Sequence, residues 1–203
     1  MKPRFEMAVV IVAVIALLCA IWLALEVTRG NTAPFDTETR AWLHASASPA
    51  LTRLLEAATV LGSQAVVLAV AGCGALGLLF LGRRDRALLI VIAMAGGELL
   101  LSILKMQFHR GRPEPFFGVQ LPQSYTFPSG HALLSVCCYG MLATFISRRW
   151  VRIVAALLIL TIGFSRVYLG VHYASDVVAG YLVAIAWLAG ITVLYERIGT
   201  IKK

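Results

Sequence analysis

Charge is scarce in this chain. Of its 203 residues only 10 are Asp or Glu and 18 are Lys or Arg, together 14%, against roughly 25% in an average soluble domain. With 60% hydrophobic residues and a mean hydropathy of +0.84, that shortage excludes an ordinary soluble fold. Polar linkers, low-complexity tracts and internal repeats are also missing, so residues 1–203 read as a single integral membrane domain. The four cysteines, Cys19, Cys73, Cys137 and Cys138, lack C-x-x-C or metal-ligand spacing and sit in apolar runs, which reads as buried thiols. No acidic cluster offers magnesium or zinc a cage, so neither metal nor cofactor is expected.

What is there is apolar and long. Near-uncharged runs of bilayer length, about 20 residues, cover residues 7–25, 59–81 and 177–195. Two more carry one ionisable residue each, 87–104 with Glu98 and 153–171 with Arg166. A slightly short run, 131–146, starts on a histidine, which sets its first turn at the water interface. The expectation is an all-α polytopic protein with six transmembrane helices. Lys2 and Arg4 precede the first run as in a signal peptide, but the run is too long and no A-x-A site follows, so it reads as a retained helix.

The net charge of +8 would suggest nucleic acid in a soluble protein. Here the cations stand in short groups between spans, so no nucleic-acid partner is expected and the groups read as topology signals. Lys2, Arg4, Arg83, Arg84, Arg86, Arg148, Arg149, Arg152, Arg197, Lys202 and Lys203 fall on one side, eleven of the 18. By the excess of cations in cytoplasmic loops, that side is the cytoplasm and both termini lie there. The first outer loop, Thr28 to Ala58, has Phe35, Ala41, Trp42, Leu51, Leu54 and Leu55 at helical spacing, with Asp36 able to cap. One or two amphipathic helices are expected on that surface, read as a packing lid over the bundle.

Three polar clusters then fall at helix ends that loop charge alone assigns to the outside. Lys105 and Arg112, followed by Pro113, hold two cations at a helix exit, where the sidedness of the charge disfavours mere snorkelling and favours anion binding. Phe127-Pro128-Ser129-Gly130-His131 runs into an apolar helix and aims backbone N–H groups at a ready phosphate site; Ser129 could donate its hydroxyl or cap the helix. Ser165-Arg166, His172 and Asp176 complete the set: if that stretch is helical, His172 and Asp176 share a face at i, i+4, and Arg166 offers a planar fork for phosphate oxygens. Cations, a helix N-terminus, two histidines and a carboxylate fit metal-free phosphoryl transfer.

Lys105-x6-Arg112-Pro113, Pro128-Ser129-Gly130-His131 and Ser165-Arg166-x5-His172-x3-Asp176 together resemble the three-part signature of the type 2 phosphatidic-acid phosphatase superfamily, and within it the compact bacterial phosphatidylglycerophosphatase B-like enzymes. The resemblance implies that His172 attacks phosphorus to give a phosphohistidine, that Asp176 orients it, and that His131 protonates the leaving oxygen. It implies phosphoryl binding by Lys105, Arg112, Ser129, the Gly130 N–H and Arg166. The residues themselves do not say which histidine is the nucleophile. The implied partner is a lipid phosphate in a bilayer: a phosphatidylglycerol phosphate, phosphatidic acid or a polyprenyl diphosphate.

Other positions stay open between roles. Glu98, beside Gly96 and Gly97, must face the bundle interior, either as a structural carboxyl or tuning the cations. His109 and Arg110 meet a headgroup or sit in an exposed loop, and His44 has no evident partner. Phe116, Phe117, Tyr125 and Phe127 anchor the loop at headgroup level or line a lipid entry. Competing functions are an intramembrane serine protease using Ser129 with His172, a haloperoxidase, and a lipid-phosphate or anion transporter without hydrolysis. The oligomeric state is not legible.

Overall fold

The computed structural model describes residues 3–201, with side chains for residues 6–197, and among these every regular element is helical, with no strand. Lys2, Lys202 and Lys203 lie outside the described residues, as does the side chain of Arg4. In chain order the elements are α1 (Pro3–Thr28), α2 (Ala33–Ala45), α3 (Pro49–Leu61), α4 (Gln64–Phe80), α5 (Arg84–Phe108), α6 (Gly130–Ser135), a π-helical turn (Val136–Gly140), α7 (Met141–Thr144), α8 (Arg149–Tyr168) and α9 (Ala174–Ile201).

Four of these helices are long and apolar enough to cross a membrane: α1, α5, α8 and α9. A fifth span exists if α3 and α4, bent by 50° at Gly62 and Ser63, count as one. The run expected at 59–81 is in fact α4 alone over most of its length, because Ser63 takes an extended backbone and breaks the helix there. The run expected at 131–146 is the shorter apolar stretch Gly130–Thr144, made of α6, the π turn and α7. That stretch is the centre of the bundle.

Leu133, Leu134, Cys137, Cys138 and Met141 are buried in it, against Val67 and Ala71 of α4, Ile90, Ala93 and Met94 of α5, and Ala184 of α9. Small residues let the long helices come close: a β-carbon at Gly97 would lie 2.8 Å from Cys137 Sγ, and one at Gly96 only 2.1 Å from the Trp187 ring. The long helices turn apolar side chains such as Ile11, Leu18, Trp22, Phe80 and Leu99 outward, as lipid-facing helices do. The cysteine reading needs correcting: Cys137 and Cys138 are buried, but Cys19 and Cys73 are exposed on the apolar surface.

The loop expected to carry amphipathic helices carries α2 and α3. Their inner faces dock Leu43 and Leu55 against the α8 end and the loop after it. Asp36 does not cap α2. It lies inside the first turn, fully buried, and the residue preceding the helix is Thr32, which makes no side-chain cap.

Candidate active site

The three signature segments meet at one end of the bundle. Helix α5 ends at Phe108, where His109 adopts a left-handed φ of 43° and turns the chain into the long loop to Gly130. Lys105, in the last turn of α5, donates to Tyr125 O at 2.7 Å and Ser124 Oγ at 3.2 Å. Arg112 grips the same loop, from Nε to Ser124 O at 2.7 Å and from Nη2 to Ser124 Oγ at 3.0 Å. The two cations expected side by side therefore share a partner.

Ser129 caps α6, its hydroxyl accepting from Ala132 N at 3.5 Å, while its own N–H donates to Asp176 O at 2.9 Å. Gly180 on α9 makes that contact possible, because a β-carbon there would stand 2.7 Å from Ser129 O. Arg166 is buried and donates from Nη1 to Thr59 Oγ1 at 2.7 Å; its Nε has no partner. His131, at the start of α6, is half-buried, and a β-carbon on Gly62 would reach its Cδ2 at 3.1 Å and Ile162 Cγ2 at 2.3 Å. The helix break at Gly62 thus gives the His131 ring its room.

His172 lies in the loop before α9, so it is not helical as the i, i+4 argument required. It still meets Asp176: the Asp176 side chain accepts from Tyr173 N at 2.9 Å within the first turn of α9, which brings Oδ2 to 3.4 Å from His172 Nδ1. A closer partner of that nitrogen is Thr126. Its hydroxyl stands 2.9 Å from His172 Nδ1 and 2.6 Å from Asp176 Oδ2. On the far side of the ring, Arg112 Nη1 lies 3.3 Å from Nε2.

This arrangement allows one tautomer. A guanidinium can only donate, so Nε2 must carry the lone pair and Nδ1 the proton. Nδ1–H then donates to Thr126 Oγ1, and the Thr126 hydroxyl donates to the Asp176 carboxylate. Burial pushes the His172 imidazole down from its ordinary 6.5 to about 4, against the opposing pull of Asp176, with Arg112 and Arg166 adding to the depression. Burial also lowers Arg112, which Asp176 partly restores. At neutral pH the ring is neutral, with its Nε2 lone pair turned to Arg112.

Several residues take places that sequence reasoning missed or left open. Thr126 is fully buried at the centre of the site, and no spacing rule pointed to it. Arg110 is no exposed loop residue: it bridges Asp176 at 2.6 Å and Asp36 at 2.8 Å. His44 does have a partner, stacking on Phe116 at 4.2 Å. Glu98 is half-buried and accepts from Gln64 Nε2 at 2.9 Å, which makes it a link between α5 and the start of α4. Ser129 is engaged as a cap, and His172 is hydrogen-bonded by Thr126 and Arg112 rather than by Ser129, so the protease pairing fails.

An apolar cavity of about 290 Å³ runs between α1, α5 and α9, lined by Leu17, Ile21, Leu104, Phe108, Phe127 and Val183 among others. Two of its lining residues, Leu104 and Phe127, stand one residue from Lys105 and two from Ser129 along the chain.

Residues 86–199 match the model of the family described as the PAP2 superfamily. Phosphatidylglycerophosphatase B of Bacillus subtilis is 30% identical over 142 residues, covering 66% of this chain and 70% of that protein. An undecaprenyl-diphosphatase of Sulfolobus acidocaldarius is 33% identical over 135 residues, and the match spans 64% of each chain. The crystal structure of a transmembrane PAP2-type phosphatidylglycerolphosphate phosphatase from Bacillus subtilis superposes with a TM-score of 0.85 at 26% identity, covering 92% of this chain and 96% of that one.

Proposed function

The chain belongs to the PAP2 superfamily, and from that premise we propose that it is a bacterial membrane phosphatase that removes the terminal phosphate of a lipid phosphate through a phosphohistidine. The observation that carries the reading is the chain of contacts Arg112–His172–Thr126–Asp176, which leaves the Nε2 lone pair facing Arg112, with Arg166 close enough to act on the ring. In the first step Nε2 bonds to phosphorus, the bond to the lipid oxygen breaks, and His131, protonated once the phosphate anion lies beside it, supplies the proton to that oxygen. Positive charge on the phosphorylated ring is balanced by Asp176 through Thr126. In the second step His131 takes a proton from water, the water oxygen bonds to phosphorus, and the Nε2–P bond breaks to release phosphate.

Lys105, Arg112, Arg166, the Ser129 hydroxyl and the Gly130 N–H hold the phosphoryl oxygens, doing what a metal does elsewhere. Among the described residues no three His, Cys, Asp or Glu side chains gather as metal ligands. In this reading the reaction draws on protein cations. The acyl or prenyl tail lies in the cavity between α1, α5 and α9, whose apolar lining includes Leu104 and Phe127, close in sequence to Lys105 and Ser129. The bilayer holds six crossings, the fifth and sixth being the bent α3–α4 pair and the short Gly130–Thr144 stretch. The loop charges put both termini in the cytoplasm and the site on the opposite face of the cytoplasmic membrane. Phosphatidylglycerol phosphate, phosphatidic acid and undecaprenyl diphosphate share the phosphoryl group that these residues bind.

The test is phosphate release by the purified protein in detergent with EDTA, for wild type and His172→Ala, on those three lipids. Release by the wild type that vanishes in the variant is the expected result, and the order of kcat/KM names the substrate. Release that needs added metal, or survives the substitution, overturns the mechanism. Absence of release from every lipid moves transport without hydrolysis to the front.

A further inference from the structure

Helix α2 lies outside the stretch that matches the family model, yet it places a carboxylate in the site. Asp36 is fully buried and accepts from Ser175 N at 3.0 Å, Ser175 Oγ at 2.6 Å and Arg110 Nη2 at 2.8 Å. The other arm of that guanidinium donates to Asp176 Oδ1 at 2.6 Å and Ser175 Oγ at 2.8 Å, and its plane lies over the Tyr173 ring at 4.2 Å. Arg110 also accepts, at its carbonyl, the N–H of Thr126 at 3.0 Å. One residue thus touches the side chain of Asp176 and the backbone of Thr126, the two groups that hold His172 Nδ1.

The docking of α2 supports this placement. Arg40, one turn beyond Asp36, is itself buried and donates to Glu114 O at 2.7 Å, which fastens α2 to the same loop that carries Arg110. Two charged side chains turned inward by a surface helix are costly unless each meets fixed partners, and both do.

We propose that Asp36 and Arg110 are positioning residues that set the orientation of Asp176 and Thr126, and through them the tautomer of His172. The inference rests on the phosphatase reading for its kinetic consequence, but not for its structural one. Asp36 fixes one arm of the guanidinium, which leaves the other a single direction, toward Oδ1 of Asp176. With Oδ1 occupied, Oδ2 is the oxygen left to Thr126 and to Tyr173 N.

Full-length Arg110→Gln, Arg110→Lys and Asp36→Asn, purified in detergent, test it. The charged and titratable groups facing His172 are Asp176 of α9, Arg112 of the loop, Arg166 of α8 and His131 of α6. Arg110→Gln removes a further cation, so it moves the acid limb of kcat/KM up in pH; Asp36→Asn removes an anion and moves it down. Arg110→Gln lowers kcat by about tenfold or more with KM nearly unchanged, since misplacement near the reacting atoms costs rate. Arg110→Lys keeps the limb in place and recovers part of kcat. In ¹⁵N spectra at neutral pH, assigned with His172→Gln, the Nδ1–H form of His172 gives way to a mixture in Arg110→Gln.

Limbs that stay fixed while Tm and kcat fall in parallel overturn the proposal, leaving α2 as a docked helix only. Wild-type kinetics and tautomer in all three variants overturn it too. Should the wild type release no phosphate from any lipid, the phosphatase reading fails and the spectra still decide: an unchanged His172 tautomer in Arg110→Gln, or in Asp36→Asn if Gln prevents folding, sinks the positioning role, and a mixture upholds it.

Discussion

Thr126 and Arg112 decide between the two neutral forms of His172, one by taking the Nδ1 proton and the other by pointing a donor at Nε2. Thr126→Val keeps the side-chain volume and removes the hydroxyl, leaving Nδ1–H and Asp176 Oδ2 without their bridge. It should lower kcat by on the order of a hundredfold, in the range found for lost acid–base or orienting groups, while Thr126→Ser restores most of it. Equal losses in both would show that the methyl group matters and the hydroxyl does not. The same ring governs the pH profile. In the proposed mechanism its neutral form is the nucleophile, and burial lowers its pKa from the ordinary 6.5 to about 4, so the acid limb of kcat/KM that belongs to His172 should lie near 4 rather than at 6.5. The limb belongs to the enzyme if it stays put when a substrate of different phosphate pKa is used. A limb at 6.5 that does so would mean that the imidazole is not desolvated.

At the scale of elements, close approach of α9 to the start of α6 brings Asp176 under Ser129. Gly180 permits it, with the nearest neighbour of a β-carbon being backbone, Ser129 O at 2.7 Å, which cannot swing aside as a side chain could. Gly180→Ala should therefore push the Ser129 loop off α9, lowering both Tm and phosphate release; a fully active, equally stable variant would show that the two elements part at no cost. The break between α3 and α4 works in the same way for His131, because continuing the helix through Gly62 with a side chain would fill the space of Ile162 and the imidazole. Neither glycine stands out in the sequence. Gly96 and Gly97 do, beside the lone Glu98 of an apolar run, and both pack as closely as that pattern implied, against Trp187 and Cys137.

For the whole molecule, the sidedness read from loop charge makes a prediction of its own. In a chain freed of its native cysteines, Gln120→Cys in the exposed loop of the site should react with an impermeant maleimide in intact spheroplasts, and Ser147→Cys at the opposite end only after permeabilisation. The reverse pattern would turn the site toward the cytoplasm. The all-helical class, the ends of α1 and α5 and the start of α9 to within four residues, and the meeting of Lys105, Arg112, Ser129, His131, Arg166, His172 and Asp176 were legible from one dimension, because apolar length and isolated charge are properties of short segments. The bend at Gly62, the burial of Asp36 and the tautomer of His172 were not. Each depends on atoms brought together from distant segments: Asp36 meets Ser175 across 139 residues and Arg110 across 74. A carboxylate at the start of a surface helix looks like a cap until the fold shows which cation lies above it. Sequence alone determined which groups could bind and transfer a phosphoryl group, since that is a matter of their chemistry. Tertiary structure alone decided which nitrogen holds the lone pair, since that is set by donors and acceptors that only packing can place.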